Sequence, residues 1–520
     1  MKLQNAKTPA RLALTLDPSP AGRGKQVSRN LDCLEITEHE PAQSFSGSGG
    51  GFSLSQRERA GVRESGATIS QRRFTPTAES GSLLIIVLWI AFGLVAVTLY
   101  FAHSMNLELR ASENRAANIA SGQAVDGAAR YLSNHLATIA YPGEMPTPAE
   151  LTGEAVPVGE AKYWFIGRDT NDWEIKLTRA VPGLVDEASK INLNAPWLTA
   201  DMIQYLPGMT PQIAAAIVDW RDSDSSVSSN GAEDETYSKL SSAYKTKNAD
   251  FESVEELRLV NGMTPAILYG EDANLNGILD ANENDGDESA PYDNRDSRLD
   301  PGLMEYFTVH SYEPSTGTNA DSRADVQALL TSVLDSQRAG EIIRNFQSQG
   351  GQGGGQNTQL GVGSILEFFV RGNLTVDEAA QVYPHLASPT NRVMVNVNTA
   401  SQAVLECIPG IGTDYAATLV TYREANPNSL TSVAWVGEAI NNDASAIQAG
   451  PYVTTRSYQY TADIAAVGPH NRGYSRARFV FDTSQGAPII VRRQDLTHLG
   501  WALGIDARTE LIASAKEARR

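Results

Sequence analysis

From Ser80 to Asn106 the chain reads SGSLLIIVLWIAFGLVAVTLYFAHSMN, 27 residues without an Asp, Glu, Lys or Arg. As an α-helix this stretch reaches about 40 Å, more than the roughly 30 Å hydrocarbon core of a bilayer. The apolar core of a cleaved secretion signal is shorter, about 7–15 residues. A helix buried in a soluble domain usually keeps a polar face, and Leu83 to Leu99 shows none. The stretch therefore reads as a single membrane span. Arg72 and Arg73 precede it, whereas Glu108, Arg110, Glu113 and Arg115 follow it as a balanced set. That bias predicts the N-terminal end inside the cell and the large C-terminal body outside the inner membrane.

Charge limits what the body can bind. Of 42 Lys/Arg and 61 Asp/Glu, 11 and 8 lie in residues 1–80, so 81–520 carries 31 against 53, a net of −22. A surface that acidic repels nucleic acid and anionic lipid and suits cations. Cys33 and Cys407 are the two cysteines. They imply no disulfide framework, and no CxxC motif occurs.

Residues 1–80 are poor in apolar residues and contain the Gly/Ser run SFSGSGGGFS. They read as a disordered tail or leader, or as translation from an upstream start; PSPAGRG and LSQRERAGVRES look like translated intergenic repeats. Beyond the span, Asn106–Ala140 lacks Pro and continues the helix, with a narrow stripe at Leu109, Ala116, Ile119, Ala120, Ala124 and Gly127. KYWFIGRD and WEIKLTRAV read as strands. Two related segments follow. KINLNAPWLTADMIQYLPGMTPQIAAAIVDWRDSD starts at Lys190, and MVNVNTASQAVLECIPGIGTDYAATLVTYREAN at Met394. Each runs [IV]N[LV]N, helix, a P-G turn, helix, then an aromatic residue and Arg, which marks an internal repeat. Between them lie an acidic region (Asp222 to Asp300), a short strand EYFTVHS, and the flexible run QSQGGQGGGQ, Gln347–Gln356. After Pro451, SYQYTADIAAV, SRARFVFDT and PIIVRRQDL read as three antiparallel strands.

The expected fold is α+β: a long N-terminal helix with an antiparallel sheet, plus a large inserted all-α domain of helix-hairpin-helix or SAM-like repeats. The expected boundaries are 1–80 tail, 81–140 helix, and 141–190 first part of the sheet. Then come 191–310 first repeat with acidic loops, 311–450 second repeat with its linker, 451–510 closing strands, and 511–520 tail.

The sharpest chemical signal is DANLNGILDANE, Asp272–Glu283, which fits D-x-[DN]-x-[DN]-G-x5-E without a mismatch. Ca²⁺ takes six to eight oxygens at about 2.3–2.6 Å. Asp272, Asn274 and Asn276 offer side-chain oxygens, Gly277 allows the sharp turn, and the Ile278 carbonyl adds an oxygen. Asp280 acts directly or through water, and Glu283 closes the site with both oxygens. A second set, Asp222, Asp224, Glu233 and Glu235, could converge across a Ser/Gly loop, but its spacing is irregular; a solvated acidic loop is the alternative. Asp285, Asp287, Asp293 and Asp296 form a third acidic cluster. The LPGM and IPGIG turns resemble hairpins whose amides contact phosphate in DNA-binding proteins. No Lys follows either turn, and the charges between Val395 and Glu424 sum to −2, so the turns read as structural. No HExxH, G-x-S-x-G or P-loop occurs among the residues, and the seven histidines form no metal-ligand spacing.

A helix whose first half is apolar and second half amphipathic resembles a type IV pilin-like subunit. The order DEASKINLN, AIVDWRDSD, NGAEDETY, FESVEELRLVNGM is similar to that of the general secretion pathway protein K family, the large minor pseudopilins of type II secretion. The resemblance covers roughly residues 81–510. It implies processing by the prepilin peptidase after Gly81, with Ser82 as the methylated first residue. The fifth mature residue is then Ile86, where most pilins have Glu, and its absence is typical of the K subunit. TPTAES separates the apolar run from Arg72 and Arg73, a departure from the usual leader. The resemblance also implies structural Ca²⁺ at the second acidic set. It implies a non-enzymatic subunit at the tip of the periplasmic pseudopilus, in contact with other minor pseudopilins and the major pseudopilin, and no nucleic acid. The competing readings are a membrane-anchored helix-hairpin-helix protein of DNA uptake and a calcium-dependent hydrolase on a membrane stalk.

Overall fold

A computed structural model describes residues 80–139, 143–146, 150–151, 153–168, 179–349 and 358–517. The expected tail before Ser80, most of the expected strand WEIKLTRAV and most of the Gly/Gln run lie outside them, as do the side chains of Gly81 and Ser82. The chain divides into two units at Leu83/Leu84, and apart from the first turn of the long helix everything below belongs to the second.

Helix α1 (Ser80–Leu136) is 57 residues long and holds no Pro. Its apolar residues from Leu83 to Leu107 are exposed, Trp89 by 75%. Among the described residues it is the one helix long and apolar enough, by length and composition, to cross a membrane. Packing begins at Ala117 and continues through Ser121, Ala124, Val125, Ala128, Ala129, Leu132 and Leu136, all buried. This stripe is rotated from the expected one. Leu109, Ala116 and Ile119 stay exposed, Ala120 and Gly127 are marginal, and Ala124 alone enters the core. Periodicity gives the pitch of a stripe but not its phase when alanines populate both faces, and the sheet's position decides the phase.

The sheet has six strands: β1 (Val156–Val158), β2 (Ala161–Ile166), β3 (Val185–Asp186), β4 (Gln459–Gly468), β5 (Arg472–Asp482) and β6 (Ile489–Asp495). It is antiparallel in the order β1-β2-β4-β5-β6, with β3 also paired to β4. The three closing strands form as the alternation of their side chains predicts. Every residue of β4 is buried, because both faces are covered. Tyr460, Ala462, Ile464 and Ala466 meet α1. Ala465 and Val467 meet a C-terminal helix, Gly504–Glu517, through Leu503, Ala507 and Leu511. Residues 511–517, expected as tail, thus continue a helix; the four-residue spacing of those apolar side chains is its cause.

Between Asp186 and Gln459 the chain leaves the sheet as a helical insert, which holds both repeats. Each repeat opens on a two-residue strand paired in parallel with the strand that closes it, Ile191–Asn192 with Phe307–Thr308 and Val395–Asn396 with Val453–Thr454. In each, the second Asn bridges a distant loop. Asn194 Nδ2 donates to Phe251 O (2.9 Å), and Asn398 Nδ2 to Leu430 O (2.9 Å). In each, the Arg ending the second helix returns to the opening strand. Arg221 donates to the carbonyls of Leu193 (2.8 Å) and Ala195 (2.7 Å). Arg423 donates to those of Val397 (3.0 Å) and Ala400 (2.6 Å). Burial draws the Arg423 guanidinium down to about 10, yet it remains charged near neutral pH. Arg423→Met strands two buried carbonyls and should cost about 3 kcal/mol. The check is a lower denaturant midpoint at unchanged m-value, with Arg221→Met giving a smaller loss because that residue is less buried.

Candidate metal sites

The loop Asp272–Glu283 folds as its spacing predicts. Gly277 takes φ +72°, and a Cβ there would lie 2.7 Å from Arg168 Cδ. Asp272, buried, accepts from the amides of Asn276 (2.9 Å) and Gly277 (2.8 Å). Asn274 and Asn276 both donate to Asp280 Oδ2 (2.7 and 3.0 Å). Glu283, 1% exposed, accepts from Ala273 N (3.0 Å) and Asp280 N (2.9 Å). Five of the six expected side-chain and carbonyl donors therefore sit in one connected network; the Ile278 carbonyl is the sixth, with its amide held by Asn276 Oδ1 at 2.8 Å. Asn274 Oδ1 is buried and accepts nothing. Burial, and then the charges of Asp272 and Asp280, push Glu283 up from 4.5 to about 8. Asp272, Asp280 and Glu283 do not bring three carboxylate oxygens within 4.8 Å of one another; the loop's oxygens, the unused Asn274 Oδ1 among them, are of the type a hard cation takes.

The second set forms on the first repeat. The helix Pro211–Arg221 starts at Pro211 behind the N-cap Thr210 and ends at Asp222. Asp222, Asp224 and Glu233 offer carboxylate oxygens within 4.8 Å of one another, the one such trio among the described residues. Both oxygens of Glu233 and Oδ1 of Asp219 are buried without a partner. Burial first, and then Asp222 and Asp219, hold Glu233 above the usual carboxylate range. Gly231 presses on this group, since a Cβ there would fall 1.9 Å from Asp219 Oδ2. Glu235, expected among these ligands, instead faces solvent and pairs with Lys239 at 2.7 Å. It stands two residues past Glu233 in the short helix Asp234–Tyr237, which turns it away. Asp219 takes the inward position that spacing alone did not assign to it. It lies three residues before Asp222, one helical turn back on the same side, and the D-W-R-D pattern carried that signal.

The third cluster is spent locally. Asp285 accepts from Ser289, and Asp293 from the amides of Asp285, Gly286 and Arg295. Asp296 accepts from Arg298 N. These are turn-forming bonds of Asp285, Asp293 and Asp296, and Asp287 is exposed.

In the second repeat the amides of Ile411 and Gly412 both donate to Ile408 O (3.1 and 3.0 Å). A Cβ on Gly410 would lie 2.3 Å from Ser445 O and 2.7 Å from Ala449 N, so this glycine packs against the helix Asp443–Ala449.

Residues 198–269, which include the trio and Asp219, match the family model described as type II secretion system (T2SS), protein K. That segment is similar to protein K of type II secretion systems. Residues 390–438 match a helix-hairpin-helix motif model. Among curated proteins, the type II secretion system protein K of Klebsiella pneumoniae is 46% identical over 56 residues, 11% of this chain and 17% of that protein. Its counterpart in Pectobacterium carotovorum subsp. carotovorum is 44% identical over 52 residues, 10% of this chain and 16% of that protein. The matched stretch thus spans about a sixth of either relative. A solved structure, the GspK-GspI-GspJ complex of the enterotoxigenic Escherichia coli type 2 secretion system, has a chain that aligns at 10% identity over 75% of this chain and 99% of its own, with a TM-score of 0.35. The fold described above rests on its own geometry.

In buffer stripped of divalent cations, Glu283 should make the protein less stable as pH rises. Its folded value of about 8 lies above its ordinary 4.5, so across that window the folded state holds a proton that the unfolded state has lost. Thermal melts from pH 5 to 8 should fall, and Glu283→Gln should flatten the slope.

Proposed function

We propose that this chain is a non-enzymatic minor pseudopilin of type II secretion, at the tip of the periplasmic pseudopilus. The observation that carries the reading is the joining of a segment similar to protein K to α1, whose first half is bare and apolar and whose second half is the spine of a sheet. In this reading the first half holds the inner membrane, and the exposed Leu109 and Ile119 meet neighbouring pseudopilins, minor ones and the major one. The insert between β3 and β4 supplies a broad head, above which no further subunit stacks. DNA binding is not favoured, given the net charge of −22 after residue 80 and the Ile411 and Gly412 amides bonded within their own turn.

Cleavage after Gly81 by a prepilin peptidase, followed by methylation of Ser82, belongs to the same reading. Mass spectrometry of the protein from membranes should find a peptide that begins with N-methylated Ser82. A mature protein that begins elsewhere, or that fractionates as soluble, overturns it.

Ca²⁺ is the structural cofactor in this proposal. Asp272, Asn274, Asn276, the Ile278 carbonyl, Asp280 and Glu283 would hold one ion. Asp222, Asp224 and Glu233, with Asp219 behind them, would hold another. A bound Ca²⁺ supplies charge neutralisation and a cross-link between loop segments. Glu233→Gln should therefore act with opposite signs. Without calcium the variant melts higher than the parent, because a buried unpaired charge is gone. With calcium it melts lower, because a ligand is lost. Differential scanning calorimetry with and without chelator reads both.

A further inference from the structure

The outer backbone of the loop Asp272–Glu283 is held by three arginines of the sheet region. Arg476 on β5 donates to the carbonyls of Asn274 (2.5 Å) and Leu275 (2.6 Å). Arg168, just past β2, donates to those of Leu275 (2.6 Å) and Asn276 (3.1 Å). Arg478 reaches Leu275 O at 3.2 Å. One carbonyl thus accepts from three guanidinium groups. Leu275 itself sits at φ +54°, a left-handed conformation that side chains with a Cβ rarely adopt. The arginines are aimed by Asp463 on β4. It accepts from Arg476 Nε (2.8 Å) and Nη2 (2.6 Å) and from Arg478 Nη2 (3.0 Å). The side chains of Arg476 and Asp463 are 0% and 1% exposed.

We propose that Asp463, Arg168, Arg476 and Arg478 are positioning residues for the cation loop. They pull the carbonyls of Asn274, Leu275 and Asn276 outward, which turns the side chains of Asp272, Asn274 and Asn276 toward a common centre. This rests on the reading of the loop as a Ca²⁺ site and adds that its affinity is set from the sheet, some 200 residues away in sequence. Leu275 is the residue that pays conformationally, and it is the one the clamp grips. Gly277 admits the clamp, because Arg168 occupies the space a Cβ would take.

Charge and positioning predict opposite outcomes. Three guanidinium groups near a cation site repel the cation; Asp463 offsets one of them and Glu305, 3.5 Å from Arg168 Nε, a second. If charge alone counted, removing an arginine would tighten binding. If the clamp sets geometry, removing one loosens binding even though a positive charge is gone. Arg478 is the place to test this, because it is partly exposed and tolerates change better than the buried Arg476.

The experiment uses the full chain in detergent, with Asp222→Asn and Glu233→Gln as the parent background to silence the other set. Binding is read by calorimetry with Ca²⁺ and by Tb³⁺ luminescence, which Trp501 beside Asn274 can sensitise. Arg478→Gln should weaken both ions about 10-fold, the lower end for residues that orient metal ligands. Arg476→Lys keeps the charge and loses the planar fork, and should weaken them at least as much. Melts without cation separate affinity from global loss of fold, and Arg478→Gln stands alone should Arg476→Lys fail to fold. Unchanged or tighter binding in Arg478→Gln overturns the clamp and leaves the Ca²⁺ reading intact. A parent that binds neither ion overturns the Ca²⁺ reading and the clamp together.

Discussion

Two consecutive buried carboxylates, Asp186 and Glu187, hold the insert to the sheet. Asp186 ends β3 and accepts from Asn396 Nδ2 (2.9 Å), Thr399 Oγ1 (2.6 Å) and Ser457 Oγ (2.5 Å), all around the second repeat. Glu187 accepts from Thr461 Oγ1 of β4 (2.5 Å) and from Thr308 in the strand that closes the first repeat. Burying a carboxylate is costly unless donors surround it, and here the side-chain donors all lie more than 100 residues away in sequence. Burial raises Asp186 above the usual carboxylate range. Glu187 is equally buried, but the charge of Lys190 and its two hydroxyl donors bring it below that range. The pair is therefore one acid held by neutral donors and one held by a charge. Neither repeat can separate from the sheet without stranding one of them.

The same logic explains why the acidic region can exist as loops. From Asp222 to Leu303 the regular elements are single turns, such as Asp234–Tyr237 and Pro265–Tyr269. Such a stretch reaches the core at scattered side chains, among them Tyr237, Phe251, Leu257 and Leu268, with no long element to order the backbone between them. It is ordered instead by side chains that cap backbone amides, as Asp224 does for Ser226 and Asp293 for Gly286. Four residues of the stretch depart from that pattern: Glu233, Thr246, Asn248 and Asn274 each keep a buried side-chain oxygen with no hydrogen-bond partner. Two of them, Glu233 and Asn274, belong to the proposed ion sites.

Much of this was legible in the sequence, and the failures are specific. The [IV]N[LV]N repeat foretold both paired strands, and its terminal arginines occupy equivalent places because the same carbonyls recur. A second echo was readable and more local. Gly208-Met209-Thr210-Pro211 and Gly262-Met263-Thr264-Pro265 both start helices, with each Thr side chain accepting two residues past its Pro. The turn Asp272–Glu283 was readable because the side chains that hold it, Asp272, Asn276, Asp280 and Glu283, are all local. Glu235 was misplaced because spacing cannot say which of two acidic residues in a single turn points inward. The contact of Arg168, Arg476 and Arg478 with the loop was not readable at all. A hairpin register sets Asp463 opposite Arg478, but nothing local says that Leu275 lies beyond them.

Strand β4 is where these dependencies meet. One face of it receives α1 through Tyr460, Ala462, Ile464 and Ala466. The other presents, in order, Thr461 to Glu187, Asp463 to the β5 arginines that hold the loop Asp272–Glu283, and Ala465 and Val467 to the C-terminal helix. A strand with a polar half and an apolar half on the same face is unusual in a core. Here Thr461 partners a charged group of the insert directly, and Asp463 partners the arginines that grip the insert's loop. Replacing Thr461 and Asp463 by the apolar residues that a plain sandwich would use would leave Glu187 and Arg476 buried without those partners. The polar side chains of β4 are thus the condition under which this antiparallel sheet can carry an acidic insert larger than itself.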